Sequence, residues 1–556
     1  MKKCWTMIIV LSFLISPFSS VDIQKTEAAA PAAFAHPGLL HTQADLDRIK
    51  QMVNAGTQPY LDGWNQLVNS PLSQAGWTPR ATDTIKRGGT GDNVALLSND
   101  IARAYQNALR WKISGSKAHG DTARDILNAW SSTLTTISGN ADRYLASGLC
   151  GYQMANAAEL MRDYPGFDVA RMQNMLIDVF YKPLSERFLI GNEYGRDHND
   201  AYIQNYWANW DLANMAATVA IGIFCDRRDI YDIGIEYFKH GAGNGSIYNA
   251  IPFLHPDGLA QWQESSRDQA HTQLGIGLMA TINEMAWNQG DDLYGWANNR
   301  FLRAAEYVAK YNNGDDVPFA AYEWGSGTNG AVKTDTAISS QNRDEYRPIW
   351  EMIYNHYANR KGLSVPNIAA RAARTRPEGG PNPQYPSTFD QLGFGTLLYT
   401  RPAGSGGTAK LPDGNIPGGT YRFTLRLDGK AMEASGRTSG AEVRKSTYTG
   451  GAHQQWTVTH LGGGQYSIKN VESGLSLDIA DGSLEHGAKF QVWSGNGGDN
   501  QKFAFLPVGD GFYRITPVHS NKPADVVGAS AAEGTPVQQW RYVLGSHQQW
   551  RLEPIP

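Results

Sequence analysis

Gln454-Gln455-Trp456, Gln501-Lys502-Phe503 and Gln548-Gln549-Trp550 are three Gln-x-aromatic triplets placed 47 residues apart near the end of a 556-residue chain. A spacing that regular means three copies of one small β unit, each unable to bury its apolar face alone. Three such units closed about a pseudo-threefold axis make a β-trefoil. Trp456, Phe503 and Trp550 are then read as core residues of that domain rather than as ligand contacts. The trefoil is expected to start near Tyr421, giving an all-β domain over residues 420–556.

Working outward, residues 402–419 run from Pro402-Ala403-Gly404-Ser405-Gly406-Gly407 to Pro417-Gly418-Gly419, a Gly/Ser/Pro composition that suits a flexible tether. The region before it, residues 36–401, reads as one mainly α domain. Helical periodicity recurs over 99–114, 120–138, 144–164, 169–188, 205–225, 230–240, 264–288, 300–310 and 346–361, with Gly-, Pro- and Asn-rich loops between. Several of these stretches are apolar on more than one side, as in Trp210-Asp211-Leu212-Ala213-Asn214-Met215-Ala216-Ala217. Alternating inner and outer helices of an (α/α) toroid or incomplete barrel produce that pattern, because inner helices are covered all round. Phe394-Gly395-Thr396-Leu397-Leu398-Tyr399 alternates like a strand and is expected to close the domain.

Composition narrows the function. The 49 basic and 53 acidic residues give no positive field for nucleic acid. Charged residues make up only 18%, whereas aromatic residues reach 11%, with 16 Trp and 26 Tyr. That uncharged, ring-rich balance is common in proteins that handle carbohydrate. At the N-terminus, Lys2-Lys3 precedes the apolar run Met7 to Ile15, and small residues follow at Ala28-Ala29-Ala30. Residues 1–30 therefore read as a secretory signal, removed somewhere between about 28 and 35. The run falls short of the roughly 20 residues that a membrane span needs. The expectation is a secreted, soluble protein with no membrane partner. Cys4 leaves with the signal, and Cys150 and Cys225 are too few to form a disulfide framework, whether bridged or free. No His-Glu-x-x-His, Cys cluster or Asp-rich loop is present, so no metal and no cofactor are expected.

The segment richest in chemistry is Gln261-Trp262-Gln263-Glu264-Ser265-Ser266-Arg267-Asp268-Gln269-Ala270-His271. On a helix, Glu264, Arg267, His271, Leu274 and Leu278 share one stripe, polar for two turns and then apolar. Either the polar end lines a cleft, or the Glu-Arg-His cluster satisfies buried groups under a loop. A second segment carries Asp197-His198-Asn199-Asp200 and then Asn205-Tyr206-Trp207-Ala208-Asn209-Trp210-Asp211. Trp207 and Trp210 read as core, whereas Asn205 is harder to bury because all its hydrogen bonds must be met.

These segments carry a resemblance. Tyr206-Trp207-Ala208-Asn209-Trp210, Arg227-Arg228-Asp229-Ile230-Tyr231-Asp232 with Tyr237-Phe238-Lys239, and Glu264-x-x-Arg267 are similar in order and spacing to the alginate lyase family. His36-Pro37-Gly38-Leu39-Leu40-His41-Thr42, Gln263-Glu264-Ser265-x-Arg267-Asp268-Gln269-x-His271 and Phe389-Asp390-Gln391-Leu392-Gly393-Phe394-Gly395-Thr396-Leu397 resemble its glucuronan- and alginate-cleaving branch. The likeness covers residues 36–401, and the three triplets resemble the QxW signature of ricin B-type lectins.

The resemblance implies β-elimination on a uronate-containing polysaccharide. The uronate C5 proton is not acidic while its carboxylate is fully charged, so donors must neutralise that charge. A base then takes the proton and an acid protonates the leaving C4 oxygen. Arg267 suits neutralisation through its planar fork, with Asn199 or Asn205 as neutral donor, and His198 or His271 as base. Gln261, Glu264, Asn209 and Tyr248 are expected to bind substrate. The chain departs from the family where an Asn-Asn-His run would stand, reading Ile203-Gln204-Asn205, and where a tyrosine would follow the arginine, reading Leu274. Tyr322, in an Ala321-Tyr322-Glu323-Trp324 loop, Tyr248 and Tyr206 are the alternatives for the acid.

Ricin-type sites need an Asp, an aromatic ring and an Asn or Gln. The second repeat offers Asp478, Trp493 and Asn500; the third offers Asp525 and Trp540, with His547 in the Asn place. The first has Glu433 and Lys445 and is expected to bind weakly or not at all. The whole reads as a secreted, monomeric polysaccharide lyase acting on a polyuronate such as glucuronan or alginate. Two alternatives stand beside it: an (α/α)-barrel glycoside hydrolase using paired carboxylates among Asp211, Glu264 and Glu323, or a non-catalytic polysaccharide-binding protein.

Overall fold

The structure, a computed structural model, describes residues 33–191, 198–384, 386–404, 416–462 and 464–555. The signal-peptide reading, Cys4 and residues 405–415 of the Gly/Ser/Pro stretch lie outside the described residues.

The described chain begins with a polar staple. His36 lies 2.7 Å from Glu159 through Nδ1 and 2.9 Å from Asp226 through Nε2. Thr42 then caps the helix Gln43–Asn54: its side chain accepts from the Asp45 N–H while the Asp45 carboxylate accepts from the Thr42 N–H. This reciprocal capping box satisfies two donors the first turn leaves orphaned.

The helical domain alternates as its apolar patterning predicts. The inner helices Val94–Ser114, Asp142–Leu160, Ala208–Phe224, Gln269–Asn288 and Trp350–Tyr354 pack each against the next. The outer helices Lys117–Thr133, Arg228–His240, Trp296–Asn312 and Pro366–Thr375 cover them. Asp142–Leu160 is buried at every position from Tyr144 to Leu160, whereas Arg228–His240 buries only Ile230, Tyr231, Gly234, Ile235, Tyr237 and Phe238. The first is an inner helix, wrapped on all sides; the second shows one apolar stripe at helical spacing. Gly148 brings two inner helices into backbone contact, since a Cβ there would sit 2.6 Å from the Ala213 carbonyl carbon. No helix among the described residues is long and apolar enough to cross a membrane. Cys150 and Cys225 are free thiols, the first buried.

Three local expectations are corrected. Residues 264–288 are not one helix: Ala260–Gln261 is a strand paired with Phe253–Leu254, Gln263–Ser266 is a 3₁₀ turn, and the α-helix begins at Gln269. Asp268 stops it from starting earlier, because its extended backbone and its side-chain bond to the His271 N–H make it the N-cap. Phe394 to Tyr399 does not form a strand but the short helix Gly395–Leu398. Tyr322 sits not in a loop but in the hairpin Tyr322–Ser326/Ala331–Asp335.

The C-terminal domain is a β-trefoil, and the glutamines of its triplets explain the repeat. Gln454, Gln501 and Gln548 each accept through Oε1 from a backbone N–H five residues back, at Thr449, Asn496 and Val543. Each donates through Nε2 to a carbonyl seven residues back, at Thr447, Ser494 and Arg541. One buried amide thus ties one loop per repeat, while Trp456, Phe503 and Trp550 are wholly buried beneath. First and last strands close the ring, Gly419–Leu425 pairing with Trp550–Pro554. The Gly/Ser/Pro stretch predicts a free tether, yet the trefoil is docked on the helical domain: Leu506 joins the helical core, and His486 pairs with Glu323 at 2.7 Å.

Candidate active site

Arg267 lies between the 3₁₀ turn and the Gln269 helix, its side chain 26% exposed. Nη1 donates to Glu264 Oε1 at 3.1 Å and Nη2 donates to His271 Nε2 at 3.1 Å. The guanidinium stands 5.5 Å above the Trp207 ring. It is therefore paired, yet part of its side chain stays exposed. A guanidinium has five N–H donors, so these two bonds leave N–H groups for an incoming carboxylate.

Glu264 fixes this arginine to the neighbouring inner helix. Its carboxylate accepts from the Asn209 N–H (3.1 Å) and from Asn209 Nδ2 (2.5 Å), at the N-terminus of Ala208–Phe224. Burial pushes its carboxyl above the ordinary range against the pull of Arg267. His271 is the more accessible histidine, with its side chain 38% exposed. Arg267 can only donate, so His271 Nε2 must accept, and the ring proton sits on Nδ1, donated to Asp268 at 2.7 Å. Burial opposes ionisation of Asp268, yet the His271 ring and backbone N–H hold its carboxyl below its ordinary value.

His198 is wholly buried, its Nε2 bonded to Asp211, with the Phe188 ring 4.4 Å away. It sits behind Tyr206, and Tyr237 contacts the same nitrogen at 3.4 Å. Asn199 accepts from Arg143 Nη2 (2.9 Å) and donates to the Tyr206 hydroxyl (3.3 Å). Asn205 accepts the Gly327 N–H at 2.6 Å through Oδ1, which leaves Nδ2 as a donor.

Four substrate-binding expectations are corrected by burial. Glu264 and Asn209 are wholly buried and satisfy each other. Gln261 is also buried and holds both the N–H and the carbonyl of Ala320. Tyr248 belongs to the short helix Ile247–Ala250 and faces the trefoil junction. Tyr322, the expected acid, lines that same junction. Burial raises both phenols, that of Tyr248 to about 12. Of the three tyrosines considered, only Tyr206 contacts Asn199. The carboxylates proposed for a hydrolase do not face one another in a cleft: Asp211 and Glu264 are wholly buried, and Glu323 is held by His486.

In the trefoil, Asp478 accepts from Gln491, Asn500 and Gln501, with Trp493 42% exposed beside its strand. Asp525 accepts from Gln538 and pairs with His547 at 3.2 Å, with Trp540 37% exposed. In the first repeat Arg444 donates to Glu433 at 2.7 Å, and Lys445 is tied to Asp428. Sequence reasoning missed Asp268 and Arg143. The Asp-x-x-His spacing could have found Asp268; Arg143 has no local signal.

Residues 57–319 match the family model described as alginate lyase, and residues 410–493, 452–540 and 499–556 match ricin-type β-trefoil lectin domain-like. A search of curated proteins found no match. Among solved structures the chain is similar to a designed 3-fold symmetric protein, ThreeFoil, at 38% identity and a TM-score of 0.24, over 24% of this chain and 99% of that one. It is similar to an exo-β-1,3-galactanase from Clostridium thermocellum at 34% identity and a TM-score of 0.25, over 26% of this chain and 32% of that one. It is also similar to a ricin B-like lectin of Macrolepiota procera solved with lactose, at 24% identity and a TM-score of 0.22, over 25% of this chain and 99% of that one. Residues 57–319 are thus an alginate lyase family domain, and residues 410–556 a ricin-type β-trefoil lectin domain.

Proposed function

We propose that the chain is a secreted polysaccharide lyase that cleaves a polyuronate of the glucuronan or alginate type by β-elimination. The observation that carries this reading is Arg267, a half-open guanidinium with spare donors beside a neutral histidine whose lone pair it occupies. A uronate carboxylate competes for that guanidinium and draws it off His271. Arg267, helped by Asn205 Nδ2, then neutralises the carboxylate, while the freed Nε2 faces the C5 proton. Asp268 holds the imidazole by its Nδ1–H and stabilises the imidazolium that forms. The C5 proton passes to Nε2, a C4–C5 double bond forms, and the C4–O bond breaks. The leaving oxygen takes its proton from Tyr206, which Asn199 and Arg143 position.

The test is a screen of alginate, glucuronan, heparinoid and pectic polymers for new ultraviolet-absorbing unsaturated ends. Absorbing ends on a uronate polymer support the proposal. New reducing ends without absorbance would mean hydrolysis, and no cleavage of any polymer would mean a binding protein.

A further inference from the structure

The trefoil meets the helical domain around a small cavity of about 90 Å³, lined by Tyr248 and Tyr322 on one side and Arg514, Lys522 and Arg541 on the other. Arg514, in the strand Phe512–Pro517, is only 8% exposed. Its guanidinium lies 4.4 Å from the Tyr542 ring, and its Nε makes no hydrogen bond. Among the described residues no carboxylate forms an ion pair with it. Arg541 Nη1 is buried without a hydrogen bond too, while its Nη2 donates to the Gly330 carbonyl, and among the described residues Lys522 reaches only the Leu484 carbonyl. Among the described residues the one acidic side chain on the cavity wall, Glu323, is engaged by His486.

A buried guanidinium without an anion is a costly arrangement. Burial depresses the Arg514 guanidinium, and only tyrosine rings counter it. With three cationic side chains on its wall and its carboxylate already engaged, the cavity suits an anionic group. Trp540, the exposed ring of the third repeat, directly precedes Arg541 and packs 4.6 Å from His486. The aromatic platform and the cationic cavity are therefore neighbours on one edge of the trefoil.

We infer that this junction binds the carboxylate of an acidic sugar, with Arg514 as the anchor and Arg541 and Lys522 at the rim, so that the docked lectin domain reads uronate charge as well as sugar faces. The inference rests on the polyuronate reading above and deepens it.

The experiment titrates the full chain carrying Arg267→Ala, which is expected to slow turnover by orders of magnitude, with tetraglucuronate, a tetrameric alginate oligosaccharide and neutral cellotetraose. Adding Arg514→Gln is expected to weaken binding of the better acidic tetramer about tenfold or more, the loss of one charge-assisted contact. Cellotetraose binding should not change. Lys522→Ala, at the rim, should act in the same direction more weakly, and it decides the question alone if Arg514→Gln lowers the melting temperature enough to suggest misfolding. Unchanged affinity for the acidic tetramers would overturn the inference, as would inorganic sulfate binding as tightly as they do. If the unmutated chain cleaves no uronate polymer while Arg514-dependent binding persists, the lyase reading fails and the junction site stands.

Discussion

Replacing Arg267 by alanine is expected to slow elimination by two to four orders of magnitude with the fold retained. The figure comes from the hydrogen bonds. Two of the five N–H groups are held by Glu264 and His271, so a fork of two more can meet the uronate carboxylate. Charge-assisted bonds contribute about 1.5–3 kcal/mol each, so two contribute about 3–6 kcal/mol, or about 10²–10⁴ in rate when expressed only in the transition state. Arg267→Lys keeps a charge but not the fork, and should fall between wild type and alanine. The substitution also strips a partner from buried Glu264, so Arg267→Ala/Glu264→Gln is the companion that separates catalysis from stability. The assay is the initial rate of unsaturated-end formation on the best polymer, with a melting curve for each variant. A folded Arg267→Ala protein keeping its rate within about threefold would refute the reasoning, because no mechanism that uses this carboxylate clamp survives that result.

Burial works against the charge of His36, yet Glu159 and Asp226 raise its pKa above 6.5. The charged staple therefore stabilises fully below that value and fades as pH rises through the raised one. His36→Gln should cost more melting temperature in mildly acidic buffer than in alkaline buffer, and an equal loss in both would be contrary evidence. Gly148→Ala pushes a Cβ to within 2.6 Å of the Ala213 backbone. It should destabilise by about 1–3 kcal/mol in urea unfolding, and a neutral result would mean the two helices are not in such close contact. Trp493→Ala should weaken adsorption to insoluble polysaccharide while leaving cleavage of short soluble oligosaccharides unchanged. Buried Trp456→Ala should instead cost about 3–5 kcal/mol of stability; the reverse pattern would exchange the roles of the two rings.

The trefoil was legible because one amide does one job three times: the loop tie made by Gln454, Gln501 and Gln548 tolerates no other side chain of that length and polarity. The inner helices were legible for a related reason, since burial on all sides leaves few choices but apolar residues. The site was less so. Spacing treats 264–271 as helix and so passes over Asp268, whose cap to the His271 N–H resets the backbone at that point. Tyr248 and Tyr322 looked eligible as acids because their surroundings come from a partner domain more than 190 residues away, at Arg514. Asn209 and Gln261 looked like ligand contacts because an amide's pattern is the same whether it meets a sugar or a backbone. Arg143 reaches Asn199 from a different helix, a pairing that only folding creates.

The first trefoil repeat differs from the other two at its acidic position. At the position where the other repeats set Gln491 and Gln538 against their aspartates, this one sets Arg444 against Glu433, a carboxylate that Ser446 and Gln454 also engage. On the proposed sugar-binding reading, the domain keeps threefold architecture with a valency of two at most. On the proposed function, residence time on a polymer would be governed by few and shallow contacts, and a lyase held that lightly would let go often enough to reach fresh chain after each cut.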